Sequence, residues 1–314
     1  MDINLQKKYN HTLKKYFFLI CILTTLSSCA QKPVKVYRLT IDDRGVPISK
    51  LLMDSTIMVL KKRLQNAGYK YPTIVYNKEA KEIKIATESI IEESFINNWL
   101  VRPCKVFFYE TYSALELLTA MSYRSSNAEK DFDKKKTFYS LLNIDDSVLY
   151  GRKRANIGIL KISDTAEFYK TVKDMRPYIP DDCILAFSQK LILTDTAGLE
   201  VYALKNNDWK LPVHQMLDTA KLWLEEGEKS TVLIDFNKTG TGKFAAITQK
   251  NVNRAIAIVI DELVYSAPFV NSIIEGGHAE IAGGFSFNEA KQLAAMLSGS
   301  YIPIKLTLNK QAIK

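Results

Sequence analysis

The stretch AEIAGGFSFNEAKQLAAMLSGSYIP, Ala279–Pro303, carries the strongest information about the fold of this chain. Ser286 and Glu289 have the S-x-x-E spacing of a capping box, in which each side chain satisfies a backbone N–H at a helix start. Apolar residues then recur three and four apart, at Ala290, Leu293, Ala294 and Leu297. Gly299 can adopt the left-handed conformation that ends a helix, and Pro303 prevents the helix from resuming. The stretch therefore predicts a strand, a glycine turn, a capped helix with one buried face, and a stop.

Composition places the chain among globular proteins. It has 314 residues, of which 47% are hydrophobic, which is enough for one large or two small domains with buried cores. The formal net charge is +9, but residues 1–28 hold four lysines and one aspartate, so the rest of the chain has a charge of +6. Charges of both signs are mixed along the sequence without a base-stacking motif. We therefore expect no nucleic-acid partner.

The N-terminal region has the pattern of an export signal. Two lysines precede the apolar run Tyr16–Cys29, which is too short to cross a bilayer comfortably as a helix. The run ends in LSSC, which resembles the lipobox of bacterial lipoproteins. We therefore predict a signal peptide at residues 1–28, a lipidated Cys29 and a short tether at residues 29–35. The alternative is an uncleaved membrane anchor that happens to contain a cysteine.

Cysteine and histidine usage argues against a metal or cofactor site. Cys104 and Cys183 are the cysteines that remain after the predicted signal and lipidation site. They could form a disulfide in an oxidising compartment, or be ordinary buried thiols, since both lie in apolar stretches. His214 and His278 are the histidines beyond the signal, and the sequence has no Cys-x-x-Cys. We predict no metal and no cofactor.

The first part of the mature sequence predicts a ferredoxin-like unit. Alternating and helical apolar periods over Val36–Glu110 follow the order β-α-β-β-α-β, which is the ferredoxin-like arrangement. Ser89 and Glu92 repeat the S-x-x-E spacing and predict a cap for the second helix. Cys104–Glu110 is the predicted closing strand. This unit is assigned to residues 36–111.

The C-terminal part repeats a similar plan. A strand, a helix, a pair of strands, a further strand, the capped helix and a last strand follow one another over residues 231–314. Residues 112–230 separate the two units as an insertion, with helices predicted at Asp164–Met175 and Val213–Glu226. The predicted fold class is α+β, with two related units and an insertion.

Motifs for catalysis are incomplete. The segment Lys238–Phe244, KTGTGKF, lacks both the first glycine and the final hydroxyl residue of a phosphate-binding loop. His278 and Glu280 mimic the H-x-E of zinc deaminases without the P-C-x-x-C that completes that site. Ser266 does not lie in a G-x-S-x-G elbow. We predict no catalytic residue, and a protein that is not an enzyme.

The C-terminal sequence closely resembles the large first periplasmic domain of the SecD and SecDF protein-export subunits. That domain has strands ending in S-A-P, a G-G turn, an I-x-G, an F-[ST]-x-x-E-A helix and a G-x-x-P stop. In this chain the features fall on Ser266, Ala267, Pro268, Gly276, Gly277, Ile281, Gly283, Phe285, Ser286, Glu289, Ala290, Gly299 and Pro303. The resemblance continues upstream, with Arg63 and Gly68 at matching positions, and covers most of Tyr37–Leu308. It implies a SecD-type head for residues 231–314, with residues 112–230 as part of that head.

Three features differ from the family, one of which is Gly299-Ser300-Tyr301, where the family approaches the proline with small residues. Its members continue past the proline into a bundle of transmembrane helices, whereas this sequence ends at Lys314. The usual D-G hairpin is replaced by Asp261–Glu262, so a position that favours glycine lacks it. The resemblance supplies no catalytic residue.

These observations predict an inner- or outer-membrane lipoprotein that faces the periplasm. The resemblance implies that it binds unfolded or extended polypeptide, or components of the Sec export machinery. The lipobox-like end of the signal predicts that lipid on Cys29 attaches it to the membrane. The alternative is a structural or interaction lipoprotein that keeps the fold without an export role. An enzyme would instead need a deep pocket with convergent polar groups.

Overall fold

The computed structural model describes residues 34–43, 47–124, 132–144, 149, 154–193, 197–224, 230–299, 301–302 and 304–309. In chain order the elements are β1 Lys35–Asp42, α1 Lys50–Asn66, β2 Thr73–Asn77, β3 Glu82–Thr87, α2 Glu93–Phe95, a π-helical turn Ile96–Leu100, β4 Val106–Tyr112, α3 Ala114–Tyr123, α4 Phe132–Leu141, β5 Gly158–Lys161, α5 Thr165–Met175, β6 Cys183–Leu193, β7 Ala197–Lys205, β8 Leu211–Pro212, β9 Leu217–Leu224, β10 Ser230–Phe236, α6 Lys238–Lys250, β11 Ile256–Ile260, β12 Leu263–Ser266, β13 His278–Phe285, α7 Phe287–Ser298 and β14 Lys305–Leu308. The predicted α+β class is confirmed.

The first sheet has the strand order β14-β1-β3-β2, with neighbouring strands antiparallel. This is the ferredoxin-like order, but the closing strand differs from the prediction. The expected closing strand, Cys104–Glu110, corresponds to β4, which joins another sheet. Its place is taken by β14, and α7 packs beside α1 as the second helix. Two distant parts of the chain therefore build the ferredoxin-like unit.

β4 leaves this unit because both of its faces are buried. Phe108 lies in the main core, while Tyr109 belongs to a separate apolar cluster. The pairings β4–β11, β11–β12, β12–β6, β6–β7 and β7–β4 close five strands of the seven-stranded sheet into a ring. Each strand of the ring contributes to the cluster inside it, formed by Tyr109, Ala186, Tyr202, Leu204, Ala257, Val259 and Val264. Such a small closed sheet buries its interior and leaves few exposed edges.

A three-stranded sheet, β13-β10-β9, packs against α7 and contributes to the main core. The predicted helix Val213–Glu226 is wrong here, because residues 217–224 form β9. Its residues pair along the length of β10, and Ala220 points into the main core. Pairing with a central strand therefore overrides the local helical period. The predicted helix Asp164–Met175 is confirmed as α5 with one preceding 3₁₀ turn.

The two predicted capping boxes have different outcomes. Ser286 and Glu289 form the predicted box at the start of α7, with the Glu289 N–H donating to Ser286 Oγ at 3.3 Å and the Ser286 N–H donating to Glu289 Oε2 at 2.8 Å. The box predicted at Ser89 is wrong, because α2 begins after Glu92 without a side-chain cap. The Ser89 carbonyl instead accepts from Thr87 Oγ1 at 2.7 Å, which holds the residue in the preceding loop.

Gly299 ends α7 without the predicted left-handed conformation, since its φ is −77°. Position 299 requires glycine because a side chain there would collide with Arg63. A Cβ at Gly299 would lie 2.3 Å from Arg63 Cγ. Arg63 is fully buried in α1 and donates to the carbonyl oxygens of Trp99, Leu100, Arg102 and Pro103. The glycine therefore allows a buried arginine to pass beside the end of α7.

Among the described residues, no helix has both the length and the apolar character that crossing a membrane requires. The predicted signal peptide, residues 1–28, and the predicted lipidation site, Cys29, lie outside the described residues, as does Pro303.

Candidate functional site

The first concave surface is an apolar cleft with a volume of about 320 Å³. It lies between β4, β11, α6 and the loop 268–274, and its apolar lining includes Phe108, Phe244, Ile256, Ile258, Phe269 and Ile274. Phe108 and Phe244 form its floor, with ring centroids 5.5 Å apart. An apolar concavity of this size is suited to side chains rather than to a charged ligand.

Backbone hydrogen bonds hold the loop that forms one wall of the apolar cleft. The Ile256 N–H donates to the Pro268 carbonyl at 3.0 Å, and the Val270 N–H donates to the Arg254 carbonyl at 2.9 Å. At the other end of the loop, the Ile274 N–H donates to Thr248 Oγ1 at 3.1 Å. The wall is therefore preformed, while Ile273 on the same loop keeps 43% of its surface exposed.

Several residues of the SecD-type motif surround this cleft. Ser266 ends β12 opposite Ile258, and Pro268 lines the cleft directly. Gly277 has a φ of +72°, and a Cβ there would lie 2.5 Å from Thr241 Oγ1 at the start of α6. Its carbonyl accepts from the Phe236 N–H at 2.8 Å, which positions the turn before β13. The S-A-P and G-G motifs thus shape the two ends of the cleft wall.

The remaining motif residues support the elements around it. Phe285 is buried at the end of β13, with its ring centroid 6.3 Å from that of Tyr265. Gly283 lies in β13, and Gly276 accepts at its carbonyl from His278 Nδ1 at 2.9 Å. Glu289 caps α7. These positions build the fold and are not brought together as a reactive site.

A buried carboxylate, Glu110, was missed in the sequence. Its oxygens accept from Asn207 Nδ2 at 2.9 Å, Lys250 Nζ at 3.1 Å and Asn251 Nδ2 at 3.1 Å. Burial alone would raise the pKa of Glu110, but these hydrogen bonds and the Lys250 charge lower it below its ordinary value. The ion pair joins β4 to the end of α6. The detectable signal was one acidic residue in the otherwise apolar run VFFYE.

The second concave surface, here named the aromatic groove, has a volume of about 890 Å³. Its lining includes Phe107 and Tyr109 of β4, His214, and Tyr301 before β14. Sequence reasoning treated His214 as an isolated histidine and assigned no role to Tyr301. Their proximity depends on a contact between segments far apart in the chain, for which the sequence contains no local signal.

One edge of the aromatic groove carries backbone strain. Asp261 and Glu262 both have positive φ values, 48° and 75°, so the β11–β12 turn forms without the glycine that usually occupies it. The Asp261 carboxylate accepts from Arg102 Nε at 3.0 Å and from the backbone N–H groups of Cys104 and Lys105 at 3.1 and 2.8 Å. These bonds offset the cost of the unusual turn.

The two predicted cysteines of the folded part are buried free thiols. Burial raises the pKa of Cys104 to about 12 and that of Cys183 to about 12. Neither thiol therefore ionises near neutral pH, and neither has the thiolate character of a reactive cysteine.

Comparison with known proteins shows which proteins this chain resembles. Residues 206–304 match the family described as SecDF, P1 head subdomain, a match that begins inside the segment 112–230. The protein translocase subunit SecD of Calditerrivibrio nitroreducens is 32% identical over 162 residues, which are 50% of this chain and 31% of the relative. The subunit SecD of Acidaminococcus fermentans is 36% identical over 115 residues, 37% of this chain and 27% of the relative. The chain thus spans less than a third of the length of these two relatives.

A solved structure shows the same fold. The crystal structure of SecDF in its super-membrane-facing form aligns with 97% of this chain and 35% of its own chain, at a TM-score of 0.50 and 16% identity. The family match, the two relatives and the motif residues around the apolar cleft agree. Residues 206–304 therefore match the P1 head subdomain of SecDF proteins, and the chain is similar to SecD subunits over half of its length.

Proposed function

We propose that this protein acts in protein export at the periplasmic side of the cell envelope, where it binds extended or unfolded polypeptide. The observation that carries the proposal is the apolar cleft, whose wall begins at Pro268 of the SecD/SecDF head motif. An extended chain exposes apolar side chains that a folded protein buries. The cleft therefore selects the unfolded form of a protein over the folded form.

The expected binding is moderate and has little sequence preference. Burial of apolar surface contributes about 25 cal/mol per Å², and it does not depend on direction. Polar groups are few in the lining, with Asn271, Ser272 and Glu280 at the rim. A binding site of this kind retains a moving polypeptide briefly and then releases it, as export requires.

The ionisable groups near the cleft serve the fold. Glu110 is paired with Lys250, and Glu116 accepts two hydrogen bonds from the Arg254 guanidinium at 2.7 and 2.9 Å. In both pairs the carboxylate oxygens accept hydrogen bonds from protein donors, and neither glutamate lines the apolar cleft. We therefore propose a binding protein that needs no catalytic residue and no cofactor.

Attachment to the membrane is proposed to occur through lipid on Cys29. One acyl chain gives only marginal membrane binding, so stable anchoring needs more than one chain, as a lipidated N-terminal cysteine would provide. The tether at residues 29–35 would then place β1, and with it the domain, close to the membrane surface. Components of the Sec machinery in the same membrane are the proposed protein partners.

The test is a titration of the purified full chain against a reduced, unfolded model protein and against the same protein in its folded form. Fluorescence anisotropy should detect binding of the unfolded form only. Ile273→Asp places a charge on the loop that forms the cleft wall, whereas Ile162→Asp places one at a similarly exposed isoleucine outside the cleft lining, since the two are 43% and 45% exposed. The first variant should weaken binding and the second should not.

Two results would contradict the proposal. Equal or undetectable binding of the two forms would remove polypeptide binding and favour the structural or interaction role. Equal effects of Ile273→Asp and Ile162→Asp would show that the apolar cleft is not where the polypeptide binds.

A further inference from the structure

We infer that the aromatic groove is a second polypeptide-binding site, which selects extended segments that carry both carboxylate and aromatic side chains. This inference rests on the proposed function, because it assigns to a particular surface one class of polypeptide that the protein binds. The groove is separate from the apolar cleft, and the two share none of their lining residues.

The first observation is a continuous row of rings along the groove. The ring centroids of Tyr109 and Phe107 are 5.9 Å apart, those of Phe107 and His214 are 5.2 Å apart, and those of His214 and Tyr301 are 5.6 Å apart. His214 is fixed in the row because its Nδ1 donates to the Val106 carbonyl at 3.0 Å. Phe107, His214 and Tyr301 are only partly buried, so their rings are available to a ligand.

The second observation is the positive charge beside these rings. Lys210 Nζ lies 5.3 Å from the Phe107 ring centroid and 5.8 Å from that of Tyr109. Lys105 Nζ lies 5.7 Å from the Tyr301 ring centroid, at the other end of the row. An ammonium group therefore stands at each end of the row, and Lys105 and Lys305 are part of the groove lining.

The acidic residues near the groove offset only part of this charge. Asp261 is engaged by Arg102 and by two backbone N–H groups, so its charge is already balanced. Asp42 forms an ion pair with Lys305 at 3.2 Å, between partly exposed side chains. Glu262 is the exposed acid of the lining. Lys105 and Lys210 therefore outnumber the opposing charge, and a ligand with carboxylates is complementary to the rim.

Ring geometry favours a polypeptide over a nucleic acid as the occupant. Consecutive ring planes are inclined by 52°, 73° and 49°, so the row does not present a series of parallel faces on which successive bases could stack. Inclined rings instead form edge-to-face contacts with single aromatic side chains. A volume of about 890 Å³ is large enough for several residues of an extended segment.

The proposal is tested with fluorescent ten-residue peptides and the full chain, at low salt. One peptide carries glutamates and phenylalanines, the second glutamates and alanines, and the third lysines and phenylalanines, with an oligothymidine of similar length as a further probe. The first peptide should bind about tenfold more tightly than each of the others, because it alone satisfies both the rings and the lysines. Added salt should reduce that preference.

Substitutions in the aromatic groove test whether the first peptide binds there. Tyr301→Ala and Lys105→Glu should each weaken binding of the first peptide about tenfold, which is the effect of one lost anchor contact. The matched controls are Tyr123→Ala and Lys62→Glu, which change exposed residues outside both concave surfaces and should leave binding unchanged. Unfolding in urea confirms that each variant remains folded.

The possible failures are distinguishable. Equal binding of the three peptides, stronger binding of the oligothymidine, or unchanged binding in both groove variants would overturn this inference. If the unfolded model protein still bound in those cases, the proposed function would stand without it. If no polypeptide bound under any condition, the proposed function itself would fail.

Discussion

Gly299→Ala is expected to destabilise the protein even though alanine favours helices. The substitution adds one methyl group where the end of α7 meets Arg63. The new Cβ would lie 2.3 Å from Arg63 Cγ and 3.0 Å from its Nε, both closer than non-bonded atoms can approach. Arg63 Cγ belongs to the middle of a buried side chain, so it cannot swing away into solvent.

The size of the destabilisation follows from the packing and the hydrogen bonds that Arg63 would lose. Overpacking in a core costs about 1–3 kcal/mol, and one lost hydrogen bond from a charged donor costs about 1.5–3 kcal/mol. Gly299 has helical backbone angles, so alanine returns about 0.5–1 kcal/mol through its lower backbone entropy in the unfolded chain. We expect a net loss of about 2 kcal/mol in the free energy of unfolding.

The assay is equilibrium unfolding of the full chain in urea, followed by circular dichroism, with Gly242→Ala as the control. Gly242 lies within α6, and a Cβ there would have no neighbour within 4 Å. That variant should gain about 0.5–1 kcal/mol, because it receives the helix propensity without the clash. If Gly299→Ala were as stable as Gly242→Ala, the close packing of Arg63 against α7 would be refuted.

Three further predictions concern ionisation and anchoring. Glu110→Gln should cost about 2 kcal/mol at pH 7 by leaving Lys250 poorly paired. Because the folded pKa of Glu110 lies below the ordinary 4.5, its stabilisation is present above pH 4.5 and lost as the pH falls through the folded pKa, so urea unfolding of the variant should depend less on pH in that range. Cys29→Ser should release the protein from membranes or leave its signal uncut, and unchanged gel mobility with full membrane retention would argue against lipidation. Cys104 and Cys183, whose pKa values burial raises to about 12, should resist alkylation at pH 8 until urea unfolds the chain, as peptide mass mapping would show.

Local signals in the sequence predicted local structure well. The Ser286–Glu289 box forms because both of its members lie within one helical turn, so no distant contact is needed to specify it. The helix predicted from Met53, Ile57, Leu60 and Leu64 is present as α1, in which Ile57 is partly buried and the other three residues are buried. Motifs of this range depend on neighbours along the chain, and the sequence contains those neighbours.

Local sequence patterns could not predict which strands pair with one another. β4 and β14 are both short apolar strands, and periodicity cannot tell which one pairs with β1. The alternating character of β9 was hidden by a helical spacing of its apolar residues, and the hydrogen bonds offered by β10 decided its conformation. Gly299 was read as a flexible cap for a similar reason, because Arg63 is more than two hundred residues away in sequence.

The sequence did not predict which residues line the two concave surfaces. Pro268, which the sequence motif identifies, lines the apolar cleft. The aromatic groove was not expected, since Phe107, His214 and Tyr301 come from three separate segments. Single aromatic residues are common in strands, so only their convergence distinguishes a binding surface from ordinary core.

Arg63 offers a physical reason why the two parts of the ferredoxin-like unit remain together. Its guanidinium binds the carbonyls of residues 99–103, where the chain leaves the unit, and its stem packs on Gly299, after the chain has returned through α7. The Ile302 N–H also donates to the Pro103 carbonyl at 2.9 Å, which joins the same two segments directly. Both segments border the aromatic groove, through Pro103 and Tyr301. Because burying a charge is costly unless it is hydrogen-bonded, a shift of either segment would weaken the contacts through which Arg63 joins them.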